Sequence, residues 1–204
     1  MNERPVSPAF LKNHMPIASV LEPFLEQCSR VLEIGGGLCN HAEFFAARHP
    51  HLAWTVSEID PRYRAIAIEA LEAASIPNLS GPLALDLYDE QWEVEPVELI
   101  FSANVLHIAP KDAGERLFLH ASRALAPGGV LFVYGPFRYR DRDLEPSNLR
   151  FEQHLQQDDP ARGIRVFEEL DEVASAHGLS FEQDVPMPSN NHILIWRQSS
   201  APER

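Results

Sequence analysis

The feature that most constrains the fold of this chain is the alternation of short apolar runs with helical patterns up to residue 135. Five of these runs have the length and apolar character of buried strands. They are RVLEI (30–34), AWTVSEI (53–59), LALDL (83–87), VELIFSA (97–103) and VLFVYG (130–135). Strands that alternate with helices join through right-handed crossovers into a mainly parallel sheet with helices on both faces. The sequence therefore predicts an α/β fold.

The remaining segments complete a single domain, because 204 residues suit one α/β unit. Helices are predicted at 16–27, 41–50, 61–74, from Pro110 onwards and from 166 to Gly178, with a turn at APGG (126–129). Residues 137–165 are polar and strand-poor, which predicts an excursion from the sheet. The last runs, LSFEQDV and NNHILIWRQ, predict an antiparallel pair. We expect segment 1–28 and the excursion to cover a substrate within the 1–204 domain.

The charge of the chain limits its partners. The formal net charge is −13, from 17 Lys and Arg against 30 Asp and Glu. Such a surface repels nucleic-acid phosphates and anionic lipids, so we expect neither as a partner. The apolar runs fall far short of the roughly 20 residues of a membrane span, and no export signal precedes them. The sequence predicts a soluble, cytoplasmic protein with two reduced cysteines and no metal site, since its histidines lack ligand spacing.

A glycine-rich stretch follows the first predicted strand. Gly35 and Gly37 lie between RVLEI and a helix, at the first βα turn of a doubly wound fold, where ligands bind. Glu58 lies 21 residues after Gly37, near the spacing at which a carboxylate accepts hydrogen bonds from ribose hydroxyls. Asp86, at the end of the third predicted strand, then borders the adenine. The stretch is either a nucleoside-binding loop or only a sharp turn.

Charge indicates which nucleoside such a loop binds. Glu33 directly precedes the glycines, and an ionised carboxylate there repels a pyrophosphate. Asn40 occupies the place of the third glycine in a dinucleotide fingerprint. Both features disfavour NAD, FAD and ATP, and they favour S-adenosylmethionine, whose tail is cationic. The alternative is that Glu33 is an exposed strand end beside a tight turn.

The motifs VLEIGGG, SEIDP, LALDL and RALAPGGVLFVYGPF, in this order and spacing, resemble those of class I S-adenosylmethionine-dependent methyltransferases. The chain is more similar still to a small, poorly characterised methyltransferase-like family of bacteria and animals. That likeness runs almost end to end, through SPAFLKNHMPI, NVLHIAP, YGPF, PSN and MPSNNH. The resemblance implies a Rossmann-like, seven-stranded and mostly parallel sheet whose last strand is antiparallel.

The resemblance also implies a set of cofactor-binding residues. They are Glu33, Gly35 and Gly37 for the methionine moiety, Glu58 for the ribose, Ile59 and Asp86 for the adenine, and Asn104 beside the sulfonium. Two positions depart from the pattern, since family members usually carry a glycine at Cys39 and a small or hydroxyl residue at Leu38. If that glycine adopts a positive φ, Cys39 weakens cofactor affinity.

Candidate catalytic and acceptor-binding residues lie outside the glycine loop. His107 follows the fourth strand and titrates near neutrality, as a general base requires, although it equally suits a structural hydrogen bond. Tyr134 ends the fifth strand, where it can orient or deprotonate an acceptor or simply pack. The polar side chains expected to recognise a small acceptor, each also suited to a turn, are Asn13, Asn148, Asn190 and Asn191.

The basic cluster of the excursion has two interpretations. Arg138, Arg140 and Arg142 can hold an anionic acceptor, but interleaved Asp141 and Asp143 favour a self-neutralised surface. The sequence as a whole predicts a methyltransferase that transfers a methyl group from S-adenosylmethionine to a small polar molecule. The rival prediction is a non-catalytic, methyltransferase-like binding or scaffold protein.

Overall fold

Helices and strands alternate along the chain in a computed structural model, which describes residues 5–200. In chain order the elements are α1 (Pro8–Leu25), β1 (Arg30–Ile34), α2 (Asn40–Arg48), β2 (Ala53–Ser57), α3 (Pro61–Ala74), β3 (Leu79–Leu83), β4 (Val97–Ala103), α4 (Ala113–Ala124), β5 (Leu125–Gly135), β6 (Phe137–Arg138), α5 (Pro146–Asp158), β7 (Arg165–Val166), α6 (Phe167–Ala176), β8 (Leu179–Met187) and β9 (Asn191–Gln198). A single 3₁₀ turn, Pro188–Asn190, joins the last two strands.

The main sheet confirms the predicted fold class. Its seven strands lie in the order β3-β2-β1-β4-β5-β9-β8. Strands β1 to β5 run parallel to one another where they pair. Strand β9 runs antiparallel to both of its neighbours, β5 and β8. The strand order reverses at β1, which pairs with both β2 and β4. Ligands of such sheets bind beyond the carboxyl ends of the strands at this reversal.

Helices cover both faces of the sheet and hold its strand ends in place. On one face, α1, α2 and α3 share a buried cluster with the strands that includes Ile17, Leu21, Phe45, Trp54, Ala67 and Phe101. On the other face, α4 and α6 do the same through Leu117, Phe118, Leu131, Leu170 and Trp196. Each fully buried large side chain stabilises the fold by roughly 1.5–3 kcal/mol. The loops at the strand ends therefore start from a rigid frame.

The first helix begins earlier than predicted. The sequence predicts this helix at residues 16–27, but it begins at Pro8. Proline is tolerated in the first turn of a helix, because the backbone N–H that it lacks would have no partner within the helix there. Pro16 and Pro23 lie inside it. Complete burial of neighbours such as Ile17 outweighs the hydrogen bonds that these prolines remove. Residues 1–4 of the predicted cover lie outside the described residues.

The third strand also lies earlier than predicted, at residues 79–83 rather than 83–87. It is an edge strand, where the missing N–H of Pro82 is tolerated. The expected strand residue Leu87 instead packs from a loop against the cluster around α4. Asp86 is consequently a loop residue beyond the end of β3.

Two boundaries near β5 differ in detail from the prediction. The APGG turn lies within β5, as an irregularity where pairing with β4 shifts register between Val97 and Leu99. Gly128 supplies the positive φ of 78° that this irregularity requires. The fourth helix begins at Ala113, because Pro110 starts a turn whose carbonyl accepts the Ala113 N–H.

The excursion at residues 137–165 contains a helix, α5, and contributes to the two-stranded ribbon of β6 and β7. Arg165 anchors its end by donating to the carbonyls of Gly163, Ala109 and Pro110. Arg138 hydrogen-bonds to Glu152 of α5 at 2.5 Å. The remaining arginines of the basic cluster contact acidic or aromatic side chains of the same region. The carboxylates that pair with Arg138 and Arg140 thus belong to α5 and α6, whereas the sequence suggested the interleaved Asp141 and Asp143.

Candidate functional site

The loop between β1 and α2 takes a conformation that favours glycine at two positions. Gly35 has a φ of 70° and Gly37 a φ of 55°. A Cβ at Gly36 would lie 2.2 Å from Cγ2 of Val56, so the backbone approaches β2 closely. In contrast, no atom lies within 4 Å of the place a Gly37 Cβ would take. The loop therefore borders open space on the side of Gly37, which leaves room for a ligand and is also found at an ordinary turn such as that of Gly178.

Glu58 ties this loop to the end of β2. Its carboxylate accepts the backbone N–H of Gly37 at 2.8 Å and that of Asp60 at 2.9 Å. The residue is only 7% exposed. Because a carboxylate has about four lone-pair sites, two remain for a ligand. Glu58 thus shapes the loop while keeping the capacity to accept hydrogen bonds from ribose hydroxyls.

Glu33 lies beneath the glycines and is 2% exposed. One carboxyl oxygen accepts the indole N–H of Trp54 at 2.9 Å. Burial raises the pKa of Glu33 to about 8, the Trp54 hydrogen bond opposes this shift, and the nearby Glu58 charge adds to it. Without a cation beside it, the carboxyl group is therefore protonated at neutral pH.

This finding corrects one premise of the sequence argument. NAD, FAD and ATP were disfavoured because an ionised Glu33 repels phosphate, but a buried, protonated carboxyl does so weakly. The alternative of an exposed strand end is wrong, since Glu33 is almost completely buried. A buried carboxyl group that can ionise is a partner for a cation, which completes its desolvated charge.

Cys39 has the positive φ, 61°, that the family's usual glycine accommodates without strain. Holding a non-glycine residue there costs on the order of 1 kcal/mol. Its side chain is fully buried and belongs to the same core cluster as Phe45. The thiol therefore points away from the space above Gly37, while Leu38 is half-buried. Cys39 in place of glycine therefore strains the backbone of the loop, and its side chain leaves the space above Gly37 open.

The other predicted cofactor residues lie at neighbouring strand ends. Ile59 follows β2 and is 49% exposed, which leaves an apolar surface beside the loop. Asp86 uses one carboxylate oxygen to accept the N–H of Tyr88. Asn104 follows β4 with a φ of 62°, and its N–H donates to the Tyr134 carbonyl at 2.9 Å. Their roles in binding stay predictions.

A second space, of about 420 Å³, opens beside the end of β5. Its polar lining includes three of the four predicted acceptor-binding residues together with Asn104 and Tyr134. The full lining is Pro8, Ala9, Lys12, Asn13, Asn104, Tyr134, Pro136, Asn148, Phe151, Pro188, Ser189 and Asn191. Both predicted cover segments contribute to it, the first through α1 and the second through α5. We call this space the acceptor pocket.

Tyr134 lies at the centre of the polar lining. Burial raises the pKa of its hydroxyl, and the neighbouring side-chain amides of Asn13 and Asn191 oppose the shift. Asn13 is itself oriented by His41, whose Nε2 lies 2.9 Å from Oδ1 of Asn13. Burial and the neighbouring His14 lower the pKa of His41 to about 4, so its ring is neutral.

Asn190 lies outside the pocket lining and contacts residues of α5, one of which lines the pocket. Its side chain donates to Ser147 at 3.0 Å, and its backbone carbonyl accepts the amide of Asn148 at 2.9 Å. These contacts dock the 3₁₀ turn against α5. The structure therefore places Asn190 next to Asn148, where it holds the turn against α5. Its direct contact with a substrate stays a prediction.

His107 does not line the pocket either. Its ring packs edge-on against Phe151, a residue of the pocket lining, with ring centroids 5.3 Å apart. Burial, with the charge of Arg165, lowers the pKa of His107 to about 4. A group with that pKa is a weak base at neutral pH. The proposed catalytic role of His107 stays a prediction that neither its position nor its pKa favours.

Two pocket features were missed in the sequence. Lys12 and His41 were not singled out, although LKNH (11–14) places Lys12 directly before Asn13, and CNH (39–41) places His41 directly after Asn40. Their role depends on how α1 packs on α2, where Phe10 contacts His14 and His41. Within residues 5–200, no cluster of His, Cys, Asp or Glu could hold a metal ion, and no helix is long and apolar enough to cross a membrane.

Solved structures share this arrangement of strands and helices. An O-methyltransferase family protein from Burkholderia thailandensis matches with a TM-score of 0.81 and 18% identity, over 95% of this chain and 58% of its own. Human N-acetylserotonin methyltransferase, solved with S-adenosylmethionine, matches with a TM-score of 0.76 and 16% identity, over 94% and 53% of the two chains. The mitomycin 7-O-methyltransferase matches with a TM-score of 0.72 and 19% identity, over 91% of this chain and 56% of its own.

These likenesses define the class of fold, which is that of the class I methyltransferases. The chain spans little more than half the length of the three proteins. Over residues 4–198 it matches the family described as "Protein of unknown function (DUF938)", and it belongs to that family.

Proposed function

We propose that this protein is an S-adenosylmethionine-dependent methyltransferase whose acceptor is a small polar molecule. The observation that carries the proposal is the junction between the glycine loop and the acceptor pocket. Asn104 lines the pocket, and its neighbour Val105 packs so closely on the loop that a Cβ at Gly35 would lie 2.5 Å from Cγ2 of Val105. A cofactor on the loop and an acceptor in the pocket would thus meet near Asn104.

The chain has suitable groups for each part of the cofactor. Those assigned to it are Glu33, Gly35, Gly37, Glu58, Ile59, Asp86 and Asn104. When bound, S-adenosylmethionine supplies an electrophilic methyl group, which bonds to the acceptor's nucleophilic atom as the carbon–sulfur bond breaks and its electron pair stays on sulfur. Glu33 would balance the positive charge of the methionine moiety, and Glu58 would accept ribose hydroxyls.

The residues of the pocket would position the acceptor and exclude water. Alignment supplies much of the rate of such a displacement, because the leaving group is already good. Burial raises the pKa of Tyr134, so its hydroxyl would keep its proton at neutral pH and would orient the acceptor by donating a hydrogen bond to it. The helices α1 and α5 would cover the reacting groups. Neither Cys28 nor Cys39 forms a disulfide, which suits a reducing compartment such as the cytoplasm.

A binding or scaffold protein without turnover is the second candidate function. The observation that favours it is the position of His107, whose lowered pKa and separation from the pocket leave no group that titrates near neutrality in the lining. The strained Cys39 also departs from the loop of an efficient enzyme.

Calorimetric titration with S-adenosylmethionine, S-adenosylhomocysteine and NADH tests the cofactor. We expect micromolar binding of the first two and none of NADH, because Asn40 stands where a dinucleotide fingerprint has its third glycine. Binding of NADH alone, or of none of the three, would refute the proposal. Formation of S-adenosylhomocysteine with a small-molecule cell extract would then separate an enzyme from a binding protein.

Tyr134→Phe is expected to lower turnover about tenfold to a hundredfold while cofactor affinity stays within about twofold, because only the pocket loses a hydroxyl. The measurement is S-adenosylhomocysteine release in the presence of the extract, together with calorimetry. Tyr88→Phe is the matched control, since that hydroxyl donates to Asp112 away from the pocket. Equal turnover in both variants would remove Tyr134 from the chemistry.

A further inference from the structure

The acceptor pocket differs in charge from the rest of the molecule. The chain has a net charge of −13 and 30 acidic residues, yet no Asp or Glu is among the described residues that line the pocket. The lining includes Lys12, one of only two lysines in the chain. None of the ion pairs among residues 5–200 involves Lys12. Lys12 is exposed, and a lining whose described residues carry this one cation and no carboxylate attracts anions.

Polar side chains of the lining offer donors towards the same space. Oδ1 of Asn13 faces Nε2 of His41, which leaves the amide N–H groups of Asn13 for the pocket that it lines. The Tyr134 hydroxyl lines the pocket as well and carries a proton that it can donate to a ligand. The pocket therefore offers N–H and O–H donors beside an ammonium group, a combination that matches carboxylate or phenolate oxygens.

Apolar groups form the rest of the wall. Phe151 is 37% exposed although its ring is large, and it lines the pocket together with four short apolar residues, Pro8, Ala9, Pro136 and Pro188. An apolar wall opposite a cation suits a ligand with an apolar body and a charged end. A volume of about 420 Å³ limits such a ligand to the size of a small metabolite.

We propose that the acceptor pocket selects a small organic anion, with Lys12 neutralising its charge, Tyr134 and Asn13 donating to its oxygens, and Phe151 packing on its apolar body. The inference rests on the proposed function in one respect: if the protein is a methyltransferase, the bound anion is its methyl acceptor. Anion binding itself needs neither cofactor nor turnover, so it is measured separately.

Titration of the isotopically labelled protein with matched acids and amides tests the selection. The probes are 4-hydroxybenzoate against 4-hydroxybenzamide and hexanoate against hexanamide, each pair nearly identical in shape. Shifts of the side-chain amide signals of Asn13 and Asn191 report binding in the pocket. We expect each acid to bind about tenfold more tightly than its amide, as a charge-assisted hydrogen bond allows. Equal affinities, or no binding of either acid at millimolar concentration, would overturn the proposal.

Two lysine variants localise the effect. Lys12→Gln is expected to remove the preference for acids, and Lys12→Glu to reverse it. Lys111→Gln changes the net charge equally, at an exposed residue outside the pocket, and is expected to keep the preference. If Lys12→Gln weakens S-adenosylmethionine binding but not the acid preference, Lys12 serves the cofactor and the proposal is wrong. A preserved preference in a protein that does not bind S-adenosylmethionine would refute the methyltransferase function alone.

Discussion

Glu58→Ala is expected to abolish measurable binding of S-adenosylmethionine, a loss of at least about a hundredfold, and to destabilise the protein. The substitution removes the predicted ribose acceptor and leaves the N–H groups of Gly37 and Asp60 without their partner. Each buried donor left unsatisfied costs roughly 1–3 kcal/mol. The loop then loses both a ligand contact and the bond that fixes its shape. Calorimetry and denaturant unfolding measure the two effects.

Glu98→Ala is the matched control for this variant. The Glu98 carboxylate also accepts two backbone N–H groups, those of Ser29 and Arg30, but at the amino end of the sheet. The Glu98→Ala variant is expected to have a lower free energy of unfolding and an unchanged affinity for S-adenosylmethionine. Gly37→Val, which retains Glu58 and fills the open space above the loop, is expected to lose binding as well. Tight binding by either Glu58→Ala or Gly37→Val would show that the cradle has been misplaced.

Glu33→Gln is expected to stabilise the protein at alkaline pH and to remove cofactor binding. Burial raises the pKa of Glu33 from 4.5 to about 8. Between these values the folded protein keeps a proton that the unfolded chain has released, so the stability contributed by Glu33 declines as pH rises through this window. Glutamine keeps an acceptor for Trp54 and carries no titrating proton. The variant's advantage should therefore grow from about pH 5 to above pH 8, reaching a few kcal/mol.

Unfolding of both proteins in denaturant at several pH values measures this difference. Cofactor binding supplies an independent readout, because a cation bound beside Glu33 requires the carboxylate and must expel its proton. At a pH of about 6, calorimetry in buffers of different ionisation enthalpy should detect proton release by the wild type. A stability difference that does not change with pH would disprove the buried titration of Glu33. Unimpaired binding by Glu33→Gln would show that the carboxylate does not hold the cation.

The elements predicted best from the sequence are those whose signals are local. The strands β1 and β4, the turn at Gly35 and Gly37, and the antiparallel pair of β8 and β9 each follow from residues adjacent in the chain. The prediction of β3 was wrong because the apolar run around Leu85 packs against a helix rather than against β2. The start of α1 was wrong because Pro16 was taken as a first-turn residue, whereas the helix continues through Pro16 and begins at Pro8.

The candidate site shows the same division. Glu58 was identified from its spacing to the glycines, because strand length and loop length together determine where a carboxylate ends up. The convergence of Asn13, Asn148 and Asn191 was expected only through resemblance to a family. Lys12 was not anticipated, since nothing in its neighbourhood along the chain distinguishes it from a solvated lysine.

The amino-acid sequence by itself determined the order of strands and helices, the glycine turn and the acidic residues that flank it, because these depend on periodicity, turn chemistry and spacing within a few tens of residues. Only the tertiary structure decided the burial and raised pKa of Glu33, the packing of His107 against Phe151 and the charge of the residues that line the acceptor pocket. Those properties depend on burial, and on hydrogen-bond partners that residues far apart in the chain supply when α1, α5 and the last strands pack together.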